Sequence, residues 1–430
     1  MSEKPRASKT DRNEFLIGEA LLGEGDEVAH LDVMIGDRNG PVGNAFANGL
    51  VHLSQGHTPL LACIRPNLLP KPQTIVVPKV TVHNLEDANK IFGPAQAAIA
   101  KGIADCLEEG IIPVEKADEW VCIVSVFIHP NAKDYRKIYQ YNYAATRLAV
   151  RRAIGRYPPL NKLWYDKDRA KHPVAGIRVP RLWRPPYVQV ALDHPEWGPH
   201  KKVLEELPKS DRIIIEAGTP LVKRYGVDIC KSIREILPDT FIVADLKTLD
   251  VGKLEVDFAF NATADAAVVS GLASADTINK FILECQRMGQ YAFIDTMEVP
   301  DPIAKLRSLK EIPDVVIIHR GIDTEETQKD PTAHWKLIPE IKGLYSDQVY
   351  VSGRPRVLVA VAGGLTNITA PAAIKAGADI LIVGRYITSA KDPERAMRNL
   401  LNVLPGSSDI DLSRVHSDDD DTAKAKFIPD

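Results

Sequence analysis

The sequence predicts two folded domains, an α+β sandwich followed by an α/β domain of the (β/α)₈ barrel type. Its 430 residues are too many for one core, since a domain usually takes about 150 residues. Residues 187–405 alternate short β-branched runs with amphipathic stretches, whereas residues 1–155 show no such repeat. A basic, proline-rich stretch, residues 156–186, separates these two regions.

Eight β-branched runs in the second region predict eight strands. They are Val188–Leu192, Ile213–Glu216, Phe241–Asp245, Ala266–Ser270, Tyr291–Asp295, Val315–His319, Val357–Ala362 and Asp379–Val383. Stretches such as Ala273–Met288 and Pro393–Leu404 are long enough to cross back over a parallel sheet. Eight such units in about 220 residues match a closed barrel. An open doubly wound sheet is the alternative, but its G-x-G-x-x-G turn after the first strand is missing.

The first region has the pattern of strands packed with two helices. The predicted helices are Pro94–Glu109, closed by Gly110, and Tyr141–Ile154. The predicted strands are Glu27–Ile35, Thr58–Ile64, Thr74–Val82 and Trp120–Ile128. This mixture favours an α+β sandwich.

Composition excludes several classes of protein. Hydrophobic residues make up 45% and charged residues 26%, which is typical of a soluble globular protein. No apolar run approaches the roughly 18–20 residues of a membrane span, and the polar start Met1–Asn13 does not resemble a signal peptide. A cytoplasmic location without a membrane partner is therefore expected. The five cysteines lack a C-x-x-C pair, which favours buried thiols over disulfides or a zinc site.

Charge is distributed unevenly along the chain. Residues 151–186 hold ten Lys or Arg against two Asp. A net charge of -3 excludes a globally basic nucleic-acid binder. The segment itself would contact RNA or lie along a neighbouring domain, and we favour the second interpretation because aromatic and basic residues in a proline-rich connector more often do so. The tail, residues 406–430, contains four consecutive Asp and is expected to be flexible.

Polar residues stand at the carboxyl ends of several predicted barrel strands, where barrels carry their chemistry. They are Asp193, Glu216, Asp245, Lys247, Asp250 and His319. Strand alternation places Asp245 and Lys247 on one face. Glu216 and Asp245 offer hard oxygen ligands of the kind that bind Mg²⁺.

Glycine turns end the last two predicted strands. Gly364 and Gly384, the latter followed by Arg385, stand where barrels often bind phosphate. The alternative is two tight turns that need glycine for conformation alone. Together these features indicate a phosphorylated substrate, a divalent metal and side chains able to move protons.

Four barrel segments resemble the orotidine monophosphate decarboxylase superfamily and, within it, the 3-hexulose-6-phosphate synthases. They are Glu216–Leu221, Ala244–Asp250, Thr263–Gly271 and His319–Asp323. The resemblance implies a reversible aldol reaction between formaldehyde and D-ribulose 5-phosphate that gives a hexulose 6-phosphate. A 3-keto-L-gulonate 6-phosphate decarboxylase is the alternative within the superfamily.

The resemblance also implies roles for individual residues. Glu216 and Asp245 would bind Mg²⁺, and Lys247 and His319 would handle protons. Asp193 would orient sugar hydroxyls. The phosphate would be held by Gly364, Gly384 and Arg385. Family members are dimers, in which Asp250 would act in the neighbouring subunit's site.

Two strands of the first region also carry polar pairs. His30 and Asp32 share one strand face, as do Lys79 and Thr81. An imidazole beside a carboxylate is a plausible acid. The alternative is the polar outer face of an edge strand.

Segments throughout the first region resemble formaldehyde-activating enzymes. They are Gly18–Asp32, Asn48–Leu50, Leu60–Ala62, Pro66–Leu68, Phe92–Gln96, Glu109–Pro113, Val126–His129 and Tyr141–Thr146. The resemblance implies condensation of formaldehyde with tetrahydromethanopterin to the methylene derivative and water. His30 would be the general acid. The pterin site would be lined by Asp32, Leu61, Lys79, Thr81 and Gln96. Family members form pentameric rings with sites between subunits.

The two resemblances together predict a bifunctional lyase of an archaeal type. The barrel would run toward ribulose 5-phosphate and release formaldehyde, which the first domain would capture. A homo-oligomer through both domains is expected, with small-molecule substrates and without nucleic acid. A non-catalytic protein that binds pterin or formaldehyde is the alternative from another class.

Overall fold

A computed structural model describes residues 14–52, 55–171, 176–321 and 334–406. Parts of three predictions lie outside these ranges. They are the polar start before Phe15, the end of the His319–Asp323 segment and the acidic tail from residue 407 onward.

The chain divides into two compact units between Leu160 and Asn161. Most of the basic stretch 156–186 therefore belongs to the second unit. No helix in the described ranges is long and apolar enough to span a membrane.

The first unit is a five-stranded mixed sheet with helices on both faces. Its strands are β1 (Phe15–Leu22), β2 (Ala29–Asp37), β3 (Leu60–Leu61), β4 (Gln73–Pro78) and β5 (Trp120–Ile128). The helices are α1 (Pro41–Val51), α2 (Leu85–Lys90), α3 (Gln96–Glu108) and α4 (Tyr135–Ile154), followed by α5 (Leu160–Asp166) at the boundary. The sheet order is β1-β2-β5-β4-β3, and only the β4–β5 pair is parallel.

The two faces of this sheet have different environments. One face packs against α3 and α4, and the fit between α4 and β1 is close. A Cβ atom at Gly18 would lie 2.0 Å from the carbonyl oxygen of Ala149. On the other face, α1 covers one end through Val42 and Phe46. Beyond α1 this face carries polar residues of β1, β2 and β5 beside apolar Leu21 and Phe127, and we call this region the polar sheet face; its polar residues are Glu19, His30, Asp32 and Ser125.

Two elements of the first unit have no counterpart among the predicted ones, and neither has α5 at the boundary. In β1 the outward-facing Phe15, Ile17 and Leu21 are apolar, so the alternation that marks a strand is lost. The other is α1, which contains two glycines, and glycine is a poor helix former.

Two predicted helices begin earlier than expected. The chain is already helical from Leu85, and a π turn at Ile91–Ala95 joins α2 to α3. Pro94 in this turn has no N–H to donate to a regular helix. The last long helix begins at Tyr135, because the Asp134 side chain accepts from the first backbone N–H groups.

The second unit is a closed barrel of eight parallel strands, as predicted. They are β6 (Tyr187–Leu192), β7 (Ile213–Ala217), β8 (Phe241–Thr248), β9 (Ala266–Ser270), β10 (Tyr291–Asp295), β11 (Val315–His319), β12 (Leu358–Ala362) and β13 (Ile380–Val383). The helices are α6 (Trp197–Glu206), α7 (Thr219–Tyr225), α8 (Ile229–Ile236), α9 (Gly252–Asn261), α10 (Ala275–Met288), α11 (Pro302–Arg307), α12 (Leu337–Leu344), α13 (Ala370–Ala376), α14 (Arg385–Thr388) and α15 (Pro393–Leu401). The β-branched runs thus predicted all eight strands, and β8 extends beyond its run to Thr248.

The basic stretch packs against the amino-terminal end of the barrel. Lys171 forms a 2.6 Å ion pair with Asp239, and Arg178 donates to the carbonyl oxygen of the same residue. Arg181 donates to the carbonyl oxygen of Gly289 at 2.6 Å. Leu182 joins the apolar core inside the barrel. Lys171, Arg178 and Arg181 therefore contact the amino-terminal end of the barrel, as expected for a segment that lies along a folded domain.

The five cysteines are free thiols, and four of them are buried. Burial raises the pKa of Cys106 to about 11 and that of Cys230 to about 12. These side chains act as small apolar core residues, as the sequence predicts.

Candidate active sites

At the carboxyl ends of five barrel strands, the side chains that point into the barrel are polar. Alternate residues point into the barrel, so the residue two places after an interior apolar residue also points inward. The resulting pairs are Ala191 and Asp193, Ile214 and Glu216, Val243 and Asp245, Phe293 and Asp295, and Ile317 and His319. The first member of each pair belongs to the interior core. The second members therefore meet at one rim.

Asp295 binds two of the predicted proton-handling residues at once. Its Oδ2 lies 2.8 Å from Lys247 Nζ and 2.8 Å from His319 Nδ1. The backbone N–H of Met297 donates to Oδ1 at 2.8 Å. Burial opposes the charge on Asp295, but His319 and Lys247 outweigh it and hold the pKa of this carboxyl well below its usual range.

The sequence prediction omits Asp295 from the site. The signal was present, because Asp295 closes its predicted run just as Glu216, Asp245 and His319 close theirs. It belongs to none of the segments that resemble a family, and a lone carboxylate at a strand end is commonly a helix cap.

Lys247 is held as a cation between two carboxylates. Its Nζ lies 2.9 Å from Asp245 Oδ2 as well as 2.8 Å from Asp295 Oδ2. Burial lowers the pKa of Lys247, but the two carboxylates outweigh it and raise this pKa well above the usual value. At neutral pH the side chain can donate a proton or a hydrogen bond but cannot accept one.

The backbone at Lys247 departs from a regular strand. The pairing of β8 with β9 shifts between Ala244 and Thr248, and Lys247 has a φ of 45°. The alternation that predicted a common face for Asp245 and Lys247 is therefore interrupted, although the two side chains still meet. Left-handed backbone at a non-glycine residue costs energy and occurs often at functional sites.

Three carboxylates influence one another at the rim. Burial and then the negative charges of Asp245 and Asp193 raise the pKa of Glu216 well above its usual value. Burial and then Asp245 raise the pKa of Asp193 as well. Thr219 Oγ1 donates to Asp245 Oδ2 at 2.6 Å. This group of carboxylates would be stabilised by a cation.

The donor set fits a magnesium ion. In the part of the chain that the structure describes, no group of three or more His, Cys, Asp or Glu side chains is arranged to coordinate a metal ion. Mg²⁺, however, is usually bound by one or two carboxylates together with water and substrate oxygens. Glu216 Oε2 accepts from Gln189 Nε2 at 2.6 Å, while Gln189 Oε1 is buried without a hydrogen-bond partner among the described residues. Oxygen atoms of these two residues thus remain available beside the rim.

The predicted phosphate-binding residues lie in the turns after the last two strands. Gly364 has a φ of 67°, which favours glycine. A Cβ atom at Gly384 would lie 3.5 Å from Asp193 Oδ2, so this turn borders the carboxylate group. Arg385 begins the helix that follows and is exposed.

Asp250 is not gathered with the rim residues within one chain. It is exposed, and its Oδ1 accepts from the backbone N–H of Val251 at 2.8 Å. Exposed apolar side chains surround it in the sequence, namely Leu249, Val251 and Leu254.

The first unit brings His30, Asp32 and Lys79 together on its polar sheet face. His30 Nε2 lies 3.1 Å from Glu19 Oε1 and 3.9 Å from Asp32 Oδ1. Lys79 Nζ forms a 2.7 Å ion pair with Asp32 Oδ2. Glu19, which the sequence prediction omits, stands opposite Asp32 on β1. Its signal was hidden because β1 itself was not predicted.

Lys79 and Thr81 line a cleft of about 450 Å³ beside this face. His57, His129 and the buried Lys90 also line it. Lys79 thus contributes to both the polar face and the cleft.

The other two predicted pterin residues have other partners. Leu61 packs against the small apolar cluster of Val42, Phe46, Ile75 and Val121. Gln96 follows the π turn, and its Oε1 accepts from the backbone N–H of Cys63 at 2.9 Å. Strands β5 and β4 lie between β3, which carries Leu61, and β2, which carries His30.

Comparisons with known proteins match each part of the chain to a family. The formaldehyde-activating enzyme (Fae) family matches residues 17–175, and the Orotidine 5'-phosphate decarboxylase / HUMPS family matches residues 186–400. A crystal structure of 3-hexulose-6-phosphate synthase from Salmonella typhimurium is 30% identical to the chain. It covers 51% of this chain and 98% of that one, with a TM-score of 0.44.

Two curated relatives match along nearly the whole chain. "Bifunctional enzyme Fae/Hps" of Methanocella arvoryzae is 53% identical over 94% of this chain and 100% of the relative. The protein of the same name from Archaeoglobus fulgidus is 50% identical over 94% of this chain and 100% of the relative. The chain therefore belongs to the bifunctional Fae/Hps enzymes, with a formaldehyde-activating domain followed by a barrel of the Orotidine 5'-phosphate decarboxylase / HUMPS family.

Proposed function

We propose that residues 187–405 catalyse the reversible aldol reaction between formaldehyde and D-ribulose 5-phosphate, which gives D-arabino-hex-3-ulose 6-phosphate. The observation that supports this is the pair of contacts from Asp295 to Lys247 and His319, beside the carboxylates Glu216 and Asp245. Gly364, Gly384 and Arg385 would bind the phosphate group of the sugar.

His319 and Lys247 would take different roles in the reaction. Ionised Asp295 accepts only, so the Nδ1 atom of His319 that faces it carries the hydrogen. Nε2 would take a proton from the sugar carbon that attacks formaldehyde and return it to the oxygen of the former formaldehyde. Cationic Lys247 would donate a hydrogen bond to the oxygen that becomes negative. In the reverse direction His319 would take the hydroxyl proton and return it to the sugar carbon, while Lys247 again donates a hydrogen bond to the negative oxygen.

Glu216 and Asp245 would hold a Mg²⁺ ion. Both carboxylates lie at the rim beside Asp193, and the cation would offset the repulsion among these three side chains. When bound, the ion supplies positive charge that stabilises developing negative charge on substrate oxygens. Asp193 would orient the sugar hydroxyls as a hydrogen-bond acceptor.

For residues 1–155 we propose condensation of formaldehyde with tetrahydromethanopterin to 5,10-methylenetetrahydromethanopterin and water. His30 would act as the general acid that converts the leaving hydroxyl into water. Glu19 Oε1, 3.1 Å from His30 Nε2, would orient the ring as a hydrogen-bond acceptor. Asp32, Leu61, Lys79, Thr81 and Gln96 would line the pterin site.

Both units would assemble into homo-oligomers. In β1 the outer face exposes Phe15, Ile17 and Leu21 at 46%, 53% and 50%, which is unusual for an edge strand that faces water. Because Leu21 of this face stands opposite His30, a second copy packed here would bring its own Leu61 and Gln96 toward His30. In the barrel, Asp250 stands among exposed apolar residues and would enter the site of a neighbouring subunit.

The physiological direction we propose is release of ribulose 5-phosphate and formaldehyde by the barrel, with capture of the formaldehyde by the first domain. We also propose a cytoplasmic location, because free thiols persist in reducing compartments.

The test measures ribulose 5-phosphate-dependent loss of formaldehyde with and without Mg²⁺. The wild type should require the metal, and Asp245→Ala should lose the activity. Asp276→Ala is the matched control, because Asp276 is an exposed aspartate at the start of α10. Carbon dioxide release from 3-keto-L-gulonate 6-phosphate without any formaldehyde reaction would instead identify the barrel as a decarboxylase.

The same preparations serve for the pterin reaction. His30→Ala should lose tetrahydromethanopterin-dependent consumption of formaldehyde and keep the barrel reaction, while Asp245→Ala should do the reverse. If His30→Ala and the wild type consumed formaldehyde equally, the proposed acid would be wrong. A protein that bound the pterin but turned over neither substrate would favour the non-catalytic alternative.

A further inference from the structure

A short turn, residues 55–58, brackets the segment that carries Lys79 and Thr81. The backbone N–H of Val82 donates to the carbonyl oxygen of Gly56 at 2.8 Å. The imidazole of His57 reaches both ends of the same segment, with Nδ1 2.9 Å from the carbonyl oxygen of Pro78 and Nε2 3.0 Å from Thr81 Oγ1. Three hydrogen bonds therefore connect this turn to residues 78–82.

Packing adds a second, independent constraint. Gly56 has a φ of 75°, and a Cβ atom there would lie 2.5 Å from Thr81 Cγ2. The methyl group of Thr81 thus rests directly on the turn, while its hydroxyl meets His57. With both branches of the side chain in contact, the rotamer of Thr81 is determined by residues 56 and 57.

The contacts of His57 also assign the direction of its hydrogen bond to Thr81. A carbonyl oxygen only accepts, so Nδ1 carries the hydrogen that points to Pro78. In the neutral ring Nε2 is then an acceptor, and the Thr81 hydroxyl donates to it. The hydroxyl proton is used in this bond, and the remaining lone pairs of Oγ1 are left for another donor.

We propose that His57 is a positioning residue that presents Thr81 Oγ1 to the cleft as a hydrogen-bond acceptor for an N–H group of the pterin. His57, Lys79 and Thr81 all line the same cleft. The inference rests on the proposal that Thr81 lies in the pterin site. It adds that Thr81 selects a ligand with a ring N–H or an amino group at this position over a ligand with a hydrogen-bond acceptor there.

Two variants of His57 separate its two contacts. His57→Asn retains a donor near Nδ1 for Pro78 but does not reach Thr81. His57→Gln places an amide group near Nε2, where its oxygen can accept from Thr81. Steady-state kinetics with tetrahydromethanopterin as the varied substrate are measured for these variants, for Thr81→Val and for the double variant His57→Asn/Thr81→Val.

We expect Thr81→Val and His57→Asn each to raise KM for the pterin about fivefold, the value of one neutral hydrogen bond, with a much smaller change in kcat. The double variant should be no worse than Thr81→Val alone, because both changes remove the same interaction. His57→Gln should restore KM to within about twofold of the wild type. His52→Asn, at the exposed end of α1, is the matched control and should leave both constants unchanged.

The outcomes distinguish this inference from the proposal beneath it. A wild-type KM in Thr81→Val would remove Thr81 from the pterin site. A raised KM in Thr81→Val together with a wild-type KM in His57→Asn would overturn the role of His57 alone. Additive effects in the double variant, or a lower melting temperature in His57→Asn that His57→Gln shares, would mean that His57 only supports the fold.

Discussion

At the scale of single residues, contacts at the barrel rim fix the charges of Asp295 and Lys247. Asp295 is ionised because it receives hydrogen bonds from both His319 and Lys247, and Lys247 is cationic because it stands between Asp295 and Asp245. His319 contacts Asp295 through Nδ1, 2.8 Å from Oδ2, so the proton transfer proposed for this ring is assigned to Nε2. Its orientation depends on Asp295.

Asp295→Asn should therefore impair the barrel reaction without disturbing the first unit. The amide has the same shape, but it removes the charge that fixes the imidazole and one of the two charges that hold Lys247. We expect kcat of the aldol reaction to fall about a hundredfold or more, measured as loss of formaldehyde with ribulose 5-phosphate. Asp276→Asn should behave as the wild type, and an unchanged kcat in Asp295→Asn would show that His319 is oriented by another group.

Asp314 gives a pH-dependent prediction far from the rim. Its Oδ2 accepts from the backbone N–H of Ala292 at 2.8 Å, and burial raises its pKa to about 6. An acid whose folded pKa lies above its unfolded value of about 3.9 binds its proton more tightly when folded. Its contribution to stability is thus present at low pH and is lost as the pH rises from about 4 through 6.

Asp314→Asn should consequently stabilise the barrel at pH 7 by roughly 1–2 kcal/mol, because the amide is neutral and can still accept from Ala292. The gain should shrink as the pH falls below 6. Melting temperatures of both proteins between pH 4.5 and 7.5 measure this. A difference that stayed constant across the range would assign the effect to packing instead of ionisation.

At the scale of secondary structure elements, the contact of α4 with β1 is set by Gly18. Gly18→Ala would bring a methyl group to 2.0 Å from the carbonyl oxygen of Ala149 and 2.6 Å from the backbone nitrogen of Ala153. Because both are backbone atoms of α4, the helix as a whole has to move. We expect a loss of about 2–3 kcal/mol in the free energy of unfolding, measured by denaturation of the full chain.

Gly93→Ala is the control for that change, since a Cβ atom at Gly93 meets nothing within 4 Å. Its stability should equal or slightly exceed that of the wild type, as alanine is the better helix former. Equal stability of the Gly18 and Gly93 variants would mean that α4 adapts without cost.

The elements also explain what the sequence could and could not predict. Barrel strands are buried on both faces, so each reads as a β-branched run, and all eight were found. β1 was missed because its outer face is apolar, and with it Glu19, the partner of His30. The contact between Asp245 and Lys247 was anticipated from alternation, yet it forms through an irregular backbone that no local pattern encodes.

Contacts between residues far apart in the sequence could not be predicted from sequence patterns. Asp295 meets Lys247 across 48 positions of sequence, and His57 meets Thr81 across 24. Pairs of this kind depend on strand order and on turns, which residue patterns alone do not determine. The positions of Asp193, Glu216, Asp245 and His319 at strand ends were visible in the sequence, whereas the contacts of Asp295 and His57 became visible only in the fold.

At the scale of the whole molecule, one chain joins a unit proposed to release formaldehyde with one proposed to consume it. A tether raises the local concentration of one site near the other. Formaldehyde, however, is small and diffuses rapidly, so in solution it equilibrates before most capture events. We therefore expect that the covalent fusion itself adds little to the steady-state flux.

Mixing two full-length variants tests this expectation. His30→Ala retains the barrel reaction and Asp245→Ala retains the pterin reaction, so an equimolar mixture supplies each activity on a separate chain. At twice the total protein, to match the sites, the mixture should convert hexulose 6-phosphate and tetrahydromethanopterin to the methylene product at the wild-type rate. A slower mixture, with formaldehyde accumulating in solution, would mean that the fusion passes formaldehyde directly from barrel to first domain. Mixed oligomers are controlled by purifying the variants separately and following the rate from the moment of mixing, because subunit exchange would appear as a drift toward the wild-type value.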